Sequence, residues 1–119
     1  KEREKNFDSV YSSGYNLAMI LEISTADRQQ VLVKLHIDGQ EYSYHDDNQF
    51  GSQVLLPLIE KALKEHHLVY GDIQEIKVAT GPGSFTGLRV GVSVANALAM
   101  ALKVPVNGKA VETEILYSQ

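Results

Sequence analysis

The chain has 119 residues, no cysteine, 44% hydrophobic residues and a formal net charge of −4. That length suits one small domain with its own core. Disulfides and thiolate metal sites are excluded, and the acidic balance argues against direct RNA binding, which needs clustered Lys and Arg.

Residues 1–16 read as an N-terminal arm. It is charged in both signs at Lys1-Glu2-Arg3-Glu4-Lys5 and lacks the apolar run of a signal peptide. Phe7, Val10 and Tyr11 fit one face of a short helix or a loose arm equally well. Leu17 to Ser24 is an apolar run of strand length. Gln30 to Ile37 alternates, with Val31, Val33, Leu35 and Ile37 on one side. Asp38-Gly39 signals a tight turn into a returning strand, Gln40 to His45. Ser52 is a candidate N-cap for a helix over about residues 52–66, with Val54, Leu55, Leu58, Ile59, Ala62 and Leu63 at helical spacing. Pro57, one turn inside, is expected to bend that helix or hold it near its N-terminus. Ile73 to Thr80 is a buried strand. A second helix spans about residues 86–102, Lys103 to Val106 starts a fifth short strand, and residues 109–119 form a C-terminal tail of uncertain structure.

The segment Gly81-Pro82-Gly83-Ser84-Phe85-Thr86-Gly87 joins the buried strand to the second helix. So much Gly and Pro marks a sharp bend or a close approach of backbone. The spacing matches neither a Walker A loop, since Leu88 and Arg89 follow Gly87, nor the dinucleotide fingerprint. Three readings stay open: a structural turn capped by Ser84 or Thr86, an anion site at the helix start, and a surface read by a partner. The candidate anion site comprises Gly81, Gly83, Ser84, Phe85, Thr86, Gly87 and Arg89. Arg89 opposes the helix dipole in the first turn, which predicts an anionic partner.

In the second helix Gly87, Gly91, Ala95 and Ala99 form a small-residue stripe, flanked by Val90, Val94 and Leu98. A helix apolar almost all round needs cover on two sides. It is therefore either a central core helix or one with a face at a subunit interface. A membrane span is rejected, because the run is short and contains Arg89, Asn96 and two glycines. No metal site is expected. His66-His67 reads as a solvated helix end, and His36 and His45 lack supporting ligand spacing.

The stretch from Gly81 to Gly108 resembles the signature of the bacterial TsaB (YeaZ) family. Support comes from Leu55-Leu56-Pro57-Leu58-Ile59, similar to the family's first-helix motif, and from Leu21-Glu22-Ile23-Ser24-Thr25 at its first strand and turn. The resemblance covers about residues 17–108, read as a TsaB-like N-terminal lobe. It implies an α/β fold of RNase H-like or actin-like type, a single lobe with a mixed five-stranded sheet in the order β-β-β-α-β-α-β. It further implies a non-catalytic scaffold in tRNA threonylcarbamoyladenosine formation, with no catalytic residue of its own. The scaffold pairs with a TsaD-like catalytic paralogue and supports a TsaE-like ATPase. It reaches tRNA only through the complex, sits in the cytoplasm and forms a homodimer when alone. Ser24 stands where the family carries an acid and Gly51 where it often keeps a His, which argues against metal or nucleotide chemistry. No intrinsic cofactor is expected, only weak ATP or ADP binding in the complex. The partner interface is expected at Leu55, Leu58, Ile59, Ala62, Gly87, Val90, Gly91, Val94, Ala95 and Leu98. The alternatives are a stand-alone nucleotide- or phosphate-binding lobe and a homodimeric interaction module.

Overall fold

The computed structural model describes residues 18–47 and 51–115. The expected N-terminal arm and the last residues of the tail lie outside them. Three strands open the chain: β1 (Met19–Ser24), β2 (Val31–Ile37) and β3 (Gln40–Asp46). Asp38 and Gly39 close the β2–β3 hairpin with φ of 50° and 86°, both positive as a two-residue primed turn requires. Helix α1 (Gly51–Glu65), a short 3₁₀ turn at Tyr70–Asp72, strand β4 (Glu75–Val78) and helix α2 (Phe85–Leu102) follow. The sheet order is β3-β2-β1-β4, with β4 parallel to β1 and the other pairs antiparallel.

Alternation decides which face is covered. Met19, Leu21, Ile23, Val31, Val33, Leu35, Ile76 and Val78 point to one side and are buried there. Helix α1 packs on that side over β2 and β3, and α2 over β4 and β1. Leu55, Leu58, Ile59, Ala62 and Leu63 recur at the i, i+3, i+4, i+7 spacing of one helical face and complete the core. Helix α1 runs unbroken through Pro57 to Glu65. Its end is a left-handed His67 (φ 57°), with Leu68 N–H donating to the Leu63 carbonyl at 2.9 Å. The opposite sheet face is only half-covered and carries a charge ladder, in which His36 donates to Glu22 at 2.7 Å and Lys34 pairs with Glu41 at 3.3 Å.

Two expectations need correction. Ser52 is inside the helix rather than its cap, because α1 already includes Gly51. The fifth strand shrinks to one parallel bridge between Val106 and Ile76. Lys103 caps α2 in the left-handed region, Pro105 has no N–H to give a ladder, and Asn107-Gly108 turns the chain at once with φ of 52° and 77°. The Asn107 side chain then serves as the next rung. It accepts from Val78 N–H at 2.9 Å and donates to the Val78 carbonyl at 3.1 Å. Helix α2 is the one helix among the described residues long and apolar enough to cross a membrane by length and composition. Here Leu88, Gly91, Val92, Ala95 and Ala99 are buried within the fold.

Candidate functional site

Strands β1 and β4 run parallel and end side by side, the location where open α/β sheets place ligands. Two connections leave from there: residues 25–30 into β2, and residues 79–84 into α2. The glycines explain how closely these connections approach. Gly81 has φ 129°, a conformation that side chains avoid. A Cβ on Gly83 would lie 2.7 Å from both the Cβ and the carbonyl oxygen of Ala26. On Gly87 it would strike the Thr25 carbonyl oxygen, and on Gly91 the Thr25 hydroxyl.

Thr25 is the pin. It is 3% exposed. Its hydroxyl donates to the Gly87 carbonyl and accepts from Gly91 N–H at 3.1 Å. Those two groups are four residues apart, the spacing at which a helix pairs them, so one hydroxyl engages both members of a rung. Ser84 N–H donates to the Ala26 carbonyl at 2.9 Å, and the Ser84 hydroxyl caps α2 by accepting from Gly87 N–H at 3.2 Å. The structural turn with a Ser84 cap is therefore present as expected, and Thr86 is exposed beside it.

Beside this pin lies a cleft of about 380 Å³, lined by Thr25, Arg28, Ser52, Ser84 and Thr86 among others. The first turns of both helices border it, and both present the positive end of a helix dipole. Arg28 adds a cation. Asp27 adds a carboxylate that accepts from Gln29 N–H at 2.9 Å. Arg89 is exposed and lies over the Phe85 ring, 5.4 Å from its centroid. Among the described residues no carboxylate forms an ion pair with Arg89. The anionic partner expected for it is thus not found among the described residues of this chain.

The structure redraws the expected partner face. Leu55, Leu58, Ile59, Ala62, Gly91 and Ala95 are buried in this chain's own core. The small-residue stripe faces inward, because Gly87 and Gly91 must clear Thr25 and Ala95 must clear the sheet. Gly87, Val90, Val94 and Leu98 remain half-buried. The large apolar side chains actually exposed on the two helices are Leu56, Phe85 and Met100, at 43%, 45% and 69%. Sequence reasoning missed these, since periodicity defines a face without saying what lies against it.

A second buried polar cluster also went unread. Glu112 is 4% exposed. Its carboxylate accepts from Asn107 at 2.7 Å, Lys109 at 3.0 Å and Glu114 N–H at 3.1 Å. Its backbone exchanges two hydrogen bonds with the Asn96 side chain, each 2.8 Å long. The Asn107 hydrogen bond is the largest influence and outweighs burial, holding the carboxyl down to about 2. The one signal in the sequence was Asn96, a polar residue in an otherwise apolar helix. Among the described residues no group of three or more His, Asp or Glu is placed to hold a metal ion.

A half-barren mixed sheet in this strand order, with two helices on one face and a cleft at the ends of β1 and β4, defines a lobe of the actin-like, RNase H-like class. Residues 49–109 match the family described as "TsaD: tRNA N6-adenosine threonylcarbamoyltransferase", and the chain belongs to that family, among its TsaB/YeaZ members. It is 35% identical over 54 residues to the "tRNA threonylcarbamoyladenosine biosynthesis protein TsaB" of Buchnera aphidicola subsp. Schizaphis graminum, covering 45% of this chain and 26% of that protein. It is 39% identical over 56 residues to the "tRNA N6-adenosine threonylcarbamoyltransferase" of Trichlorobacter lovleyi, covering 47% of this chain and 16% of that one. The solved structure of YeaZ from Pseudomonas aeruginosa superposes with a TM-score of 0.71 at 28% identity, covering 82% of this chain and 45% of the other. The chain thus spans about a quarter of the TsaB relative's length and under half of the solved YeaZ chain.

Proposed function

We propose that this chain is the N-terminal lobe of a TsaB-type scaffold acting in tRNA threonylcarbamoyladenosine formation, without chemistry of its own. Its partner is a TsaD-type transferase, and a TsaE-type ATPase joins the assembly. The observation that carries this reading is the turn after β1. Ser24 occupies the position where the resemblance leads one to expect an acid, and the adjacent Thr25 hydroxyl is buried and committed to α2. The Thr25 hydroxyl is thereby spent on packing. Leu56 on α1 and Phe85 and Met100 near opposite ends of α2 are the large exposed apolar side chains on the two helices that a partner would cover. The test is reconstitution with a TsaD-type transferase, a TsaE-type ATPase, tRNA and the threonylcarbamoyl donor. The scaffold reading expects a stable complex with the transferase and modification only when both are present. Transfer by this chain alone, or no association at all, would reject it.

A second reading is favoured by the cleft. Two helix N-termini and Arg28 around one opening suit a phosphate group. Calorimetric titration with ATP distinguishes it. Binding that is lost in Arg28→Ala supports a nucleotide lobe, and absence of heat rejects it.

A further inference from the structure

Strand β3 is an edge strand, first in the order β3-β2-β1-β4. Its register with β2 is unbroken from Val31 opposite Asp46 to Ile37 opposite Gln40. The hairpin loop has two residues, so Ile37 and Gln40 form a hydrogen-bonded pair, and pairs alternate from there. Gln40, Tyr42, Tyr44 and Asp46 therefore turn their N–H and C=O groups toward β2. Glu41, Ser43 and His45 turn theirs outward, and no other described residue hydrogen-bonds to those backbone groups. Proteins usually blunt such an edge with a Pro, a bulge or charged side chains, Lys above all, that an added strand would leave unmatched. The seven residues Gln40-Glu41-Tyr42-Ser43-Tyr44-His45-Asp46 contain no Pro, Lys or bulge, and an antiparallel pairing centred on Ser43 leaves neither of their acids, Glu41 and Asp46, opposite a like charge.

We propose that the β3 edge pairs antiparallel with β3 of a second copy of this chain, on a twofold axis through Ser43. The strand is self-complementary in that register. Ser43 is its midpoint and points its backbone groups outward, so this is the antiparallel register that overlaps all seven residues. Glu41 then faces His45 of the second copy, and His45 faces its Glu41, on the outer side of the sheet. Tyr42 faces Tyr44 on the helix side, and Gln40 faces Asp46. No like charges stand directly opposed, and aromatic and opposite-charge cross-strand pairs are favourable. A shift by two residues would set Glu41 against Asp47. Twofold symmetry makes every favourable pair occur twice. The helices stay on one face, and two four-stranded sheets become one continuous sheet. The tyrosines are already held. The Tyr42 ring lies against His66, tilted by 54° with centroids 4.3 Å apart, and the Tyr44 hydroxyl shares a hydrogen bond with His66 Nε2 at 2.9 Å. Less ordering is left for association. This surface is separate from the exposed apolar residues of the helices.

A single thiol tests it, since the chain has no cysteine. Antiparallel hydrogen-bonded pairs hold Cα atoms about 5.5 Å apart, within disulfide reach. Ser43→Cys should oxidise to a covalent dimer much faster than Ser93→Cys, which is exposed on α2. In sedimentation across a concentration series, the unchanged chain should show a monomer–dimer equilibrium. His45→Glu should weaken it at least about tenfold and His45→Lys should preserve or tighten it. A merely structural role for His45 would not give opposite signs. Amide exchange on the unchanged chain should slow at Glu41, Ser43 and His45 as concentration rises. Equal oxidation of the two cysteine variants, a monomer at every concentration, or protection confined to the helices would each overturn the proposal.

Discussion

Replacing Gly91 by Ala measures how much of this fold rests on the contact between the β1–β2 turn and α2. In an isolated helix the change is favourable by about 1 kcal/mol. Here the new Cβ lands on the Thr25 hydroxyl, which is buried and bonded to Gly87 and Gly91. Moving that hydroxyl away leaves it without partners, at about 1–3 kcal/mol. Keeping it in place forces the turn off the helix, at a similar overpacking cost of about 1–3 kcal/mol. Either route exceeds the propensity gain, so Gly91→Ala should destabilise by about 1–2 kcal/mol, or roughly 5–10 °C in Tm. The diagnostic step is Thr25→Ala combined with Gly91→Ala. Without the hydroxyl the added methyl has room, since the other Thr25 carbon atoms lie 3.5 Å from it. The helix-propensity gain then reappears, giving a coupling of about 2 kcal/mol in a double-mutant cycle by urea unfolding. Additive effects, or a stabilising Gly91→Ala in the unchanged background, would refute the claim that these glycines exist for the Thr25 contact.

Other substitutions separate packing from partner binding. Glu112→Gln should flatten the acid limb of stability. A carboxyl held at about 2 rather than 4.5 contributes stability above pH 4.5 that is lost as pH falls toward 2. Allowing for screening, that is about 1–2 kcal/mol between pH 5 and 2, read as urea midpoints of both proteins. Met100→Glu, at a site 69% exposed, should leave Tm within about 1–2 °C while weakening association with a TsaD-type transferase at least about tenfold. Unchanged association would remove this part of α2 from the partner surface. Ala95→Leu should instead destabilise the isolated chain by about 1–3 kcal/mol, because Ala95 is fully buried against its own core, and a normal melting curve would contradict that packing.

Local signals carried much of the fold. An apolar run gave β1, alternation gave β2, Asp38-Gly39 gave the hairpin and the returning β3, and helical periodicity gave both helices within a residue or two. The strand-to-helix turn was readable too, as a sharp glycine-rich bend capped by Ser84 or Thr86; the structure uses Ser84, and the bend falls on a positive φ at Gly81. What escaped depends on contacts distant in sequence. Thr25 meets α2 across more than sixty positions, and no local pattern marks a threonine as the pin of a glycine-rich helix. For the same reason the stripe of Gly91 and Ala95 was legible as a close-approach surface, while the choice between a core helix and a subunit interface stayed open until Thr25 and the core were seen to cover it. Asn107 replaced a strand with one side chain, which an apolar run ending in Val106 does not announce.

The glycine segment also limits what family resemblance can carry. Its spacing is set by steric demands inside the lobe: room for Ala26 at Gly83, for the Thr25 carbonyl at Gly87 and for the Thr25 hydroxyl at Gly91. Any relative that brings its first turn this close to α2 meets the same demands, whether or not it catalyses a reaction. The motif therefore reports the fold, and activity has to be argued from separate positions. In this chain the informative one is Ser24, the last residue of β1 and the neighbour of Thr25. A carboxylate there would restore the acid that the resemblance leads one to expect at that position. A hydroxyl offers no charge with which to hold a metal-bound water. The discriminating variant is Ser24→Asp. If only that acid is missing, the change should confer metal-dependent nucleotide binding measurable by calorimetry. If a facing second lobe is also required, the variant should bind no better than the unchanged chain, and the scaffold reading gains accordingly.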